Sequence, residues 1–428
     1  MNTTSNTPPA PSSQRARTIA IALLLVGAVC GGMGQTIVFS VLPPLAREMG
    51  LSNFQVGCIF ALSASFWMTF GPRWGRASDA RGRKPFILIG VSGFAVSMFA
   101  FGGVIKLGLA GLLAGAPLYA LLLFTRGVHG VFGSANPPAA QAYIADRTDA
   151  EGRTAGLSQF SAAFGLGAML GPGFGAAAAA IGPATPFFAI GVFAAVMGVA
   201  VYRFLPERTG PVRRVKRPSV RLADPRLRPF LIYGVCLGII NSIPLQTIGF
   251  YFLDRLQVPT DVASQVVGVG LMGGAMASLF SQLVIVQRFR LEPRLLMRIA
   301  PVLFVAGHAL IWLSADLGPV IFGMTLSGFA SGLAIPGYSA GASLSVTADE
   351  QGSAMGLASA AGASGFIVSP LAAFWLYGMS PQAPYIFSTT LAIFVGLFAL
   401  KSRRIGAASP KTDAEPPESN DPASAPYQ

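Results

Sequence analysis

The chain has 428 residues, of which 53% are hydrophobic and only 11% are charged. The hydrophobic residues come in runs of about 20, the length that an α-helix needs to cross a bilayer. The formal net charge of +13 would suggest nucleic-acid binding only if the basic residues shared one folded face, and here they lie in the gaps between apolar runs. Composition therefore excludes a soluble nucleic-acid-binding protein and predicts a polytopic membrane protein.

The positions of the basic residues predict the orientation of the chain. Of the 30 Lys and Arg residues, only Arg126 lies in the middle of an apolar run, and only Arg47, Lys106 and Arg255 lie in the alternate gaps that we assign to the outside. All the others lie in the two tails, in every second loop, or at the ends of the runs beside those loops. By the positive-inside rule, both termini are predicted to be cytoplasmic, which requires an even number of spans. We expect the cell membrane, in a bacterium the inner membrane, as the location.

The N-terminal tail and the cysteines carry little further information. Residues 1–17 are rich in Pro, Ser, Thr and Asn, which predicts a disordered tail. The apolar run that follows is longer than a signal-peptide core and lacks a clear small-x-small cleavage site, so we expect an uncleaved first helix. Cys30, Cys58 and Cys236 lie within apolar runs without metal-ligand spacing, which favours packing residues without a disulfide, a metal site or a cofactor.

Twelve apolar runs predict twelve membrane-spanning helices in chain order. The first is predicted to end at Pro43 and Pro44, and the third to begin at Pro85, since a proline in the first turn forfeits no helical hydrogen bond. Residues 403–428 are polar and rich in Pro, which predicts a second disordered tail. The predicted helices cover about residues 18–42, 53–74, 85–106, 113–144, 154–181, 185–205, 230–253, 262–286, 295–314, 319–346, 352–377 and 384–400.

Residues 206–229 divide the chain into halves. Apolar periodicity disappears there, which predicts a basic cytoplasmic linker between bundles at 18–205 and 230–402; fixing the topology is the favoured role, and binding anionic lipid or regulation is the alternative. Its basic residues are Arg208, Arg213, Arg214, Lys216, Arg217, Arg221, Arg226 and Arg228. The halves repeat each other, since E-G-R-T-A-G-L at 151–157 recurs as Q-G-S-A-M-G-L at 351–357 and 133–137 is echoed by 332–336. This repeat predicts two pseudo-symmetric six-helix bundles.

The stretch G-R-A-S-D-A-R-G-R-K at 75–84 packs one acid and four bases between two membrane-length runs. We interpret it as a short hydrophilic link outside the hydrocarbon. Its pattern G-x-x-x-D-x-x-G-R-K resembles the signature between the second and third helices of the major facilitator superfamily. The alternative is an ordinary positively charged cytoplasmic loop.

Two further stretches resemble motifs of the same family. R-G-V-H-G at 126–130 resembles the fourth-helix motif whose buried arginine the family links to proton coupling, which makes Arg126 and His129 the coupling candidates here. G-A-M-L-G-P-G-F-G at 167–175 resembles the fifth-helix motif of drug and proton antiporters. In it, Gly167, Gly171 and Gly175 recur every fourth residue and form a smooth helix face, and Pro172 is expected to bend the helix. Ordinary packing of small residues is the alternative.

The resemblance implies a cytoplasmic gate in the stretch at 75–84. In it, Asp79 and Arg83 would latch the cytoplasmic ends of the two bundles when the cavity faces outward. Asp146 is a predicted partner of Arg83, and the beginning of helix 11 near Gly352 is a second expected partner of Asp79, since a carboxylate is favoured at a helix N-terminus. The gate residues are Gly75, Asp79, Gly82, Arg83, Lys84 and Asp146.

The chain also departs from the family pattern. The corresponding stretch of the second half, Q-R-F-R-L-E-P-R at 287–294, lacks the G-x-x-x-D core, so a second latch is expected to be weaker or built differently. No Asp or Glu lies deep in an apolar run, and Gln35 stands where many drug and proton exchangers of this kind have an acid. Buried ionisable groups in a membrane are functional candidates, and only Arg126, His129 and His308 qualify. A hydrogen-bonding role in the cavity is favoured for His129, proton exchange is its alternative, and His308 is read as a packing residue.

The fold that the resemblance implies has a central cavity lined by helices 1, 4, 7 and 10. With few polar groups and much aromatic and methionine surface, such a cavity suits an amphipathic or neutral compound better than a phosphate or a sugar. The predicted cavity residues are Gln35, Ser40, Trp67, Asn136, Asn241, Gln246, Tyr251, Ser327 and Tyr338.

The sequence thus predicts an all-α integral membrane protein with twelve transmembrane helices. It is read as a monomeric secondary transporter that exports small hydrophobic or amphipathic compounds in exchange for protons. A metabolite uptake permease or facilitator of the same fold is the first alternative, because the missing acid weakens the case for proton antiport. A membrane sensor or scaffold that has lost transport is the second. An enzyme is not expected, because the chain has no G-x-S-x-G elbow, no metal-ligand pair and no phosphate loop.

Overall fold

The computed structural model describes residues 11–148, 150–207, 220–347 and 350–406. Within them, the regular structure consists of helices, twelve of which are long and connected mostly by short loops. The long helices are α1 Pro11–Glu48, α2 Asn53–Arg81, α3 Lys84–Leu109, α4 Gly115–Ala145, α5 Ala150–Ile181, α6 Thr185–Phe204, α7 Arg228–Asp254, α8 Thr260–Phe289, α9 Pro293–Leu313, α10 Leu317–Leu344, α11 Gln351–Met379 and α12 Ala383–Lys401, and a short α13 covers Arg403–Gly406.

Eleven of the twelve long helices are long and apolar enough, within the described residues, to cross a membrane. The remaining one is α4, whose run carries Arg126 and His129 and whose helix is interrupted. A 3₁₀ turn at Gly133–Ala135 separates Gly115–Phe132 from Asn136–Ala145. Pro137 and Pro138 follow this turn and have no backbone N–H, so they cannot donate the helical hydrogen bonds to the carbonyls of the preceding turn. The prediction of an all-α membrane protein is confirmed, and the structure adds a 3₁₀ turn inside the predicted helix 4.

The first helix passes through the two prolines at which the sequence predicted its end. Pro43 and Pro44 lie inside α1, which continues to Glu48. A proline inside a helix removes one backbone hydrogen bond, but packing against a neighbouring helix compensates for it in a membrane bundle. Here Pro43 packs against Gly249 of α7: a Cβ built on Gly249 would lie 2.7 Å from Pro43 Cγ. The predicted stop is therefore wrong, and Pro43 is a contact between the halves.

The predicted hydrophilic link at 75–84 is also largely helical. Helix α2 continues to Arg81, so that only Gly82 and Arg83 separate it from α3. The N-terminus of α2 is fixed by a capping box, in which Ser52 accepts a hydrogen bond from the Gln55 backbone and Gln55 accepts one from the Ser52 backbone. Gly82 makes the tight turn, with a φ of +94° that glycine adopts without strain.

The predicted tails and linker lie partly outside the described residues. At the N-terminus, helix α1 begins at Pro11, so the prediction of a disordered tail is wrong for 11–17, and residues 1–10 are outside the description. At the C-terminus, α13 covers 403–406, and residues 407–428 are outside it. In the linker, residues 220–227 form turns before α7 begins, whereas Arg208, Arg213, Arg214, Lys216 and Arg217 lie in the undescribed segment 208–219.

Within the described ranges, the helices before and after the linker share a hydrophobic core at only one end. We call the end that carries the 82–83, 206–227 and 345–350 loops the connector end, and the other the far end. Near the far end, one continuous core joins residues of both halves, among them Leu42, Phe60, Phe250 and Phe374. Near the connector end there are two separate cores, one built from Phe86 and other residues of the first half and one from the second half.

Glycine contacts follow the same division along the helices. Near the far end they cross between the halves: Gly57 of α2 meets Phe374 of α11, and a Cβ on Gly173 of α5 would lie 2.6 Å from Met272 Sδ of α8. Towards the connector end, a Cβ on Gly165, Gly352 or Gly356 would meet no described residue within 4 Å. The halves are therefore packed together at the far end and apart at the connector end.

Candidate functional site

The predicted gate residues form a charged cluster at the connector end of the first half. Arg83 Nε donates to Asp146 Oδ2 at 3.0 Å, so the ion pair between these two residues that the sequence predicts is present. The Nη1 group of Arg83 also donates to Ser78 Oγ at 2.8 Å and to the Asp79 carboxylate. Arg83 thus ties the end of α2 to the end of α4, within one half.

The other gate residues fix the turn around Arg83. Lys84 Nζ donates to the Tyr202 carbonyl at 2.8 Å and lies over the Tyr202 ring, which attaches α3 to α6. A Cβ on Gly82 would lie 2.8 Å from Glu207 Oε1, so the Glu207 side chain lies against this glycine. The Gly75 carbonyl accepts a hydrogen bond from Ser78 Oγ at 2.8 Å. The second expected partner of Asp79, the beginning of α11, is open around Gly352 in this conformation, and that contact stays a prediction.

A second ion pair, which the sequence analysis missed, lies at the far end and joins the two halves. Arg47 Nη2 of α1 donates to both carboxylate oxygens of Asp254 of α7, at 2.6 and 2.9 Å. Tyr377 of α11 donates to the same carboxylate at 2.8 Å. The Arg47 guanidinium also lies 5.5 Å from the centre of the Phe250 ring. The sequence gives only a weak indication of this pair: Arg47 is one of the few basic residues assigned to the outside.

The coupling candidates Arg126 and His129 lie on one face of α4, three residues apart. Both are buried, with relative exposures of 5% and 8%. The Arg126 guanidinium carbon is 5.7 Å from the centre of the Phe101 ring. The His129 ring lies between the rings of Trp67 and Phe94, at centroid distances of 5.3 and 5.2 Å.

Three polar atoms of these two side chains are buried without a partner among the described residues. Arg126 Nε and Nη1 and His129 Nδ1 are enclosed and have no hydrogen-bond partner in the described part of the chain. Burying a charge without an acceptor is costly. The third buried ionisable group, His308 of α9, stacks on Phe304 at a centroid distance of 5.7 Å.

The glycine face of the fifth-helix motif packs on α1 within the first half. Gly167 meets the Val29 backbone, a Cβ on Gly171 would lie 2.7 Å from Met33 O, and a Cβ on Gly175 would lie 3.2 Å from Ile37 Cγ1. Such contacts leave no space for a larger residue. A different face of α5 meets the second half, where a Cβ on Gly268 of α8 would lie 2.9 Å from Pro172 O. The motif therefore joins α5 to α1 on one side and to α8 on the other.

The predicted cavity residues of the first half occupy different surroundings. Gln35 and Trp67 are half-buried, and Trp67 contacts His129. Ser40 is fully buried and donates to the Ile37 carbonyl at 3.0 Å. Asn136 packs against α3, where a Cβ on Gly90 would lie 2.6 Å from Asn136 Cβ.

The predicted cavity residues of the second half are mostly satisfied by their own helices or neighbours. Asn241 donates to the Leu237 carbonyl at 2.9 Å and Gln246 to Ser242 Oγ at 2.9 Å. Tyr251 is buried and donates to the Ile311 carbonyl at 2.7 Å. Tyr338 is buried against Tyr233, and Ser327 packs against Gly307 of α9 with its hydroxyl unpartnered in the described residues. Tyr251 and Tyr338 thus lie in the packed core in this conformation.

The connector end of the second half has its own charged cluster, outside the membrane-spanning segments. Arg226 donates to Glu350 Oε2 and Oε1 at 3.0 and 3.1 Å and to Asp224 Oδ2 at 2.9 Å. Hydrogen bonds from Arg226 hold the pKa of Asp224 and that of Glu350 below their usual ranges. Val220 N also donates to Ser353 Oγ at 3.0 Å. The connector is thereby fixed to the beginning of α11.

Comparisons with known proteins agree with this architecture. The family described as "Major Facilitator Superfamily" matches residues 24–314 and 284–426. "Multidrug resistance protein 1" of Bacillus subtilis is 26% identical over 276 residues, 64% of this chain and 67% of that protein. "Tetracycline resistance protein, class G" of Vibrio anguillarum is 29% identical over 372 residues, 81% of this chain and 88% of that protein. A bacterial homologue of the human lysosomal transporter Spinster, solved in an inward-facing and occupied conformation, superposes on this chain with a TM-score of 0.67. The match covers 94% of this chain and 98% of that protein at 12% sequence identity, so it shows a likeness of fold alone.

Proposed function

Because the chain belongs to the major facilitator superfamily, we propose that it is a secondary active transporter that exports small hydrophobic or amphipathic compounds by alternating access. The observation that carries the proposal is the hydrophobic core shared by both halves at the far end only. Two bodies joined at one end and apart at the other have the geometry of one state of such a cycle. Export is supported by the resistance proteins among the relatives.

The membrane orientation follows from the positive charges. Both termini are assigned to the cytoplasm, and the connector end therefore faces the cytoplasm. In this orientation the present conformation is open inward. The moving bodies are residues 18–205 and 230–402, the linker at 206–229 joins them, and the protein works as a monomer in the cell membrane.

The two ends act as alternate gates in this proposal. The pair of Arg47 and Asp254 holds the far end closed while the connector end is open. When the halves rock, this pair separates and the gate residues around Arg83 approach the beginning of α11. Asp79 then meets the positive end of the α11 dipole. The junction of α5 with α8, at Pro172 and Gly268, is the seam along which the halves turn.

Neutralising the gate carboxylate tests this role. Asp79→Asn is expected to abolish transport while the protein still inserts into the membrane, because closing the connector end requires a carboxylate at the positive end of the α11 dipole. The ion pair that Asp79 makes with Arg83 in the present conformation lies within the first half and is lost as well. The measurement is transport in vesicles that contain equal amounts of wild type and variant. Exposed Arg221 of the connector provides a control, since Arg221→Gln changes a charge at the same end outside the gate. Normal transport by Asp79→Asn would contradict the gate.

Protons are the proposed driving ion, and Arg126 with His129 is the proposed coupling site. A histidine beside a permanent cation is a group that exchanges protons readily when water reaches it. The alternative, uptake or passive equilibration of a metabolite, is favoured by one observation: all the acidic side chains of the described helices lie near helix ends.

Dye transport in inverted membrane vesicles separates these functions. With proton pumping, the exporter is expected to accumulate an amphipathic dye inside the vesicles, against its gradient. A protonophore is expected to abolish this accumulation. Equilibration that a protonophore leaves unchanged would favour the facilitator, and no movement of any dye or metabolite would favour a sensor or scaffold.

A further inference from the structure

We propose that the side chains around Arg126 and His129 bind a small anionic group, a carboxylate or a sulfonate, of the transported compound. The substrates would then be amphipathic organic anions rather than neutral compounds. This inference rests on the proposed transport function and narrows its substrate class.

The first observation is the state of the Arg126 guanidinium. It is 5% exposed, and its Nε and Nη1 atoms point at no acceptor in the described residues. Its described contact is the Phe101 ring at 5.7 Å, and a cation over an aromatic face offsets only part of the cost of burying a charge. A guanidinium presents planar, parallel donors that match a carboxylate. The geometry therefore favours an anion as its partner.

The second observation is that His129 adds a polar group without a partner on the same face of α4. Its Nδ1 atom is enclosed and has no hydrogen-bond partner among the residues that the structure describes. The imidazole can lie against the backbone of residue 133 because that residue is glycine: a Cβ there would lie 2.9 Å from His129 Nδ1. The rings of Trp67 and Phe94 flank the imidazole. Two polar groups beside aromatic walls suit a molecule with an anionic head and an apolar ring body.

The third observation concerns the carboxylates of the protein itself. The ion pairs among the described residues lie at helix ends, at Asp254, Asp79, Asp146, Asp224, Glu292 and Glu350. The described helices carry no Asp or Glu in the middle of a span. Within the described residues, no Asp or Glu side chain pairs with Arg126. The negative charge that balances Arg126 therefore comes from a bound molecule.

The test compares two probes that differ only in charge, 1-naphthylacetate and its uncharged amide. Equilibrium binding of each is measured on the purified full-length protein in lipid nanodiscs, in Tris buffer free of carboxylates and sulfonates, first at low and then at high chloride concentration. Wild type is expected to bind the carboxylate about tenfold more tightly than the amide, as one charge-assisted pair allows. In Arg126→Gln the preference is expected to fall to about twofold or less with amide binding unchanged, and Arg126→Lys should retain part of it.

Two controls keep the result interpretable. Lys106→Gln removes a positive charge from the same half at an exposed site and should leave the preference as in wild type. If Arg126→Gln does not fold, the comparison of the two probes on wild type still decides. Equal affinities for both probes, or a preference that survives in Arg126→Gln, would overturn the inference, and so would the absence of naphthylacetate binding at either chloride concentration.

The outcome is separable from that of the proposed function. Discrimination between the probes without vesicle transport would support the site and contradict transport. Dye export without any discrimination would support transport and overturn the anion site.

Discussion

The two ends of the helical bundle hold their charged residues differently. At the far end, the pair of Arg47 and Asp254 crosses from α1 to α7 and joins the halves. At the connector end, the pair of Arg83 and Asp146 stays within the first half, and the pair of Arg226 and Glu350 stays within the second. Charges that bind across the halves close one end, whereas charges satisfied within each half let the halves separate at the other.

The strongest way to break this comparison is to prevent the far end from closing. In Gly249→Leu, the new side chain would meet the rigid Pro43 ring, since even a Cβ would lie 2.7 Å from Pro43 Cγ. We expect α1 and α7 to be held apart and transport to be lost. The measurement pairs a transport assay with labelling of a cysteine at Ala46, which is fully buried in the shared core, in a chain from which the three native cysteines are removed.

A matched control exists at the same end. A Cβ on Gly378 of α11 would meet nothing within 4 Å, so Gly378→Leu adds the same bulk without a clash. It is expected to transport normally and to leave the cysteine at Ala46 unlabelled. Equal behaviour of the two leucine variants would show that the contact with Pro43 does not hold the far end closed.

Much of this arrangement is readable from the sequence because hydrophobic length and the distribution of charge are local properties. The eleven apolar helices long enough to cross a membrane follow from apolar runs, and the pair of Arg83 and Asp146 follows from two charges at the same end of neighbouring helices. The passage of α1 through Pro43 was not predictable, because it depends on packing against Gly249, a residue remote in sequence. The pair of Arg47 and Asp254 was missed for the same reason.

The conformation of the bundle could not be predicted from the sequence for a different reason. One sequence specifies both states of an alternating-access cycle, so no local pattern distinguishes the end that is closed. For Tyr251 and Tyr338, the sequence predicted a polar ring at the cavity. The structure instead buries Tyr251 in the core shared by both halves and Tyr338 in the core of the second half, because each ring meets neighbours that only the tertiary fold brings close.

A smaller effect is expected when the bridge at the far end loses its charge. Arg47 and Asp254 keep side-chain exposures of 38% and 27%, and solvent-screened pairs of this kind stabilise by about 0.5–1 kcal/mol. Arg47→Ala should therefore raise the labelling rate of the cysteine at Ala46 by roughly two- to fivefold and slow transport without abolishing it. Lys106→Ala, which removes an exposed charge from the same end, should change neither.

Exchanging the two charges sharpens this test. Arg47→Asp combined with Asp254→Arg restores the attraction between α1 and α7 but loses the hydrogen bond from Tyr377. Labelling is expected to return most of the way to the wild-type rate. If the exchanged pair behaves like the sum of its two single variants, the ion pair itself does not close the far end.

The smallest effect concerns pH at the connector end. Arg226 lowers the pKa of Asp224 and that of Glu350, and a carboxyl group with a lowered pKa in the folded state stabilises it above the unfolded pKa, about 3.9 for Asp and 4.3 for Glu. That stabilisation is lost as the pH falls through the lowered values. The difference in Tm between wild type and Arg226→Gln should thus stay constant from about pH 7 to about pH 5 and shrink only below about pH 4. Arg221→Gln, in the same segment, should show no such pH dependence. If the difference in Tm between wild type and Arg226→Gln changes between about pH 7 and about pH 5, the cluster responds to cytoplasmic pH and is not a fixed attachment of the connector to α11.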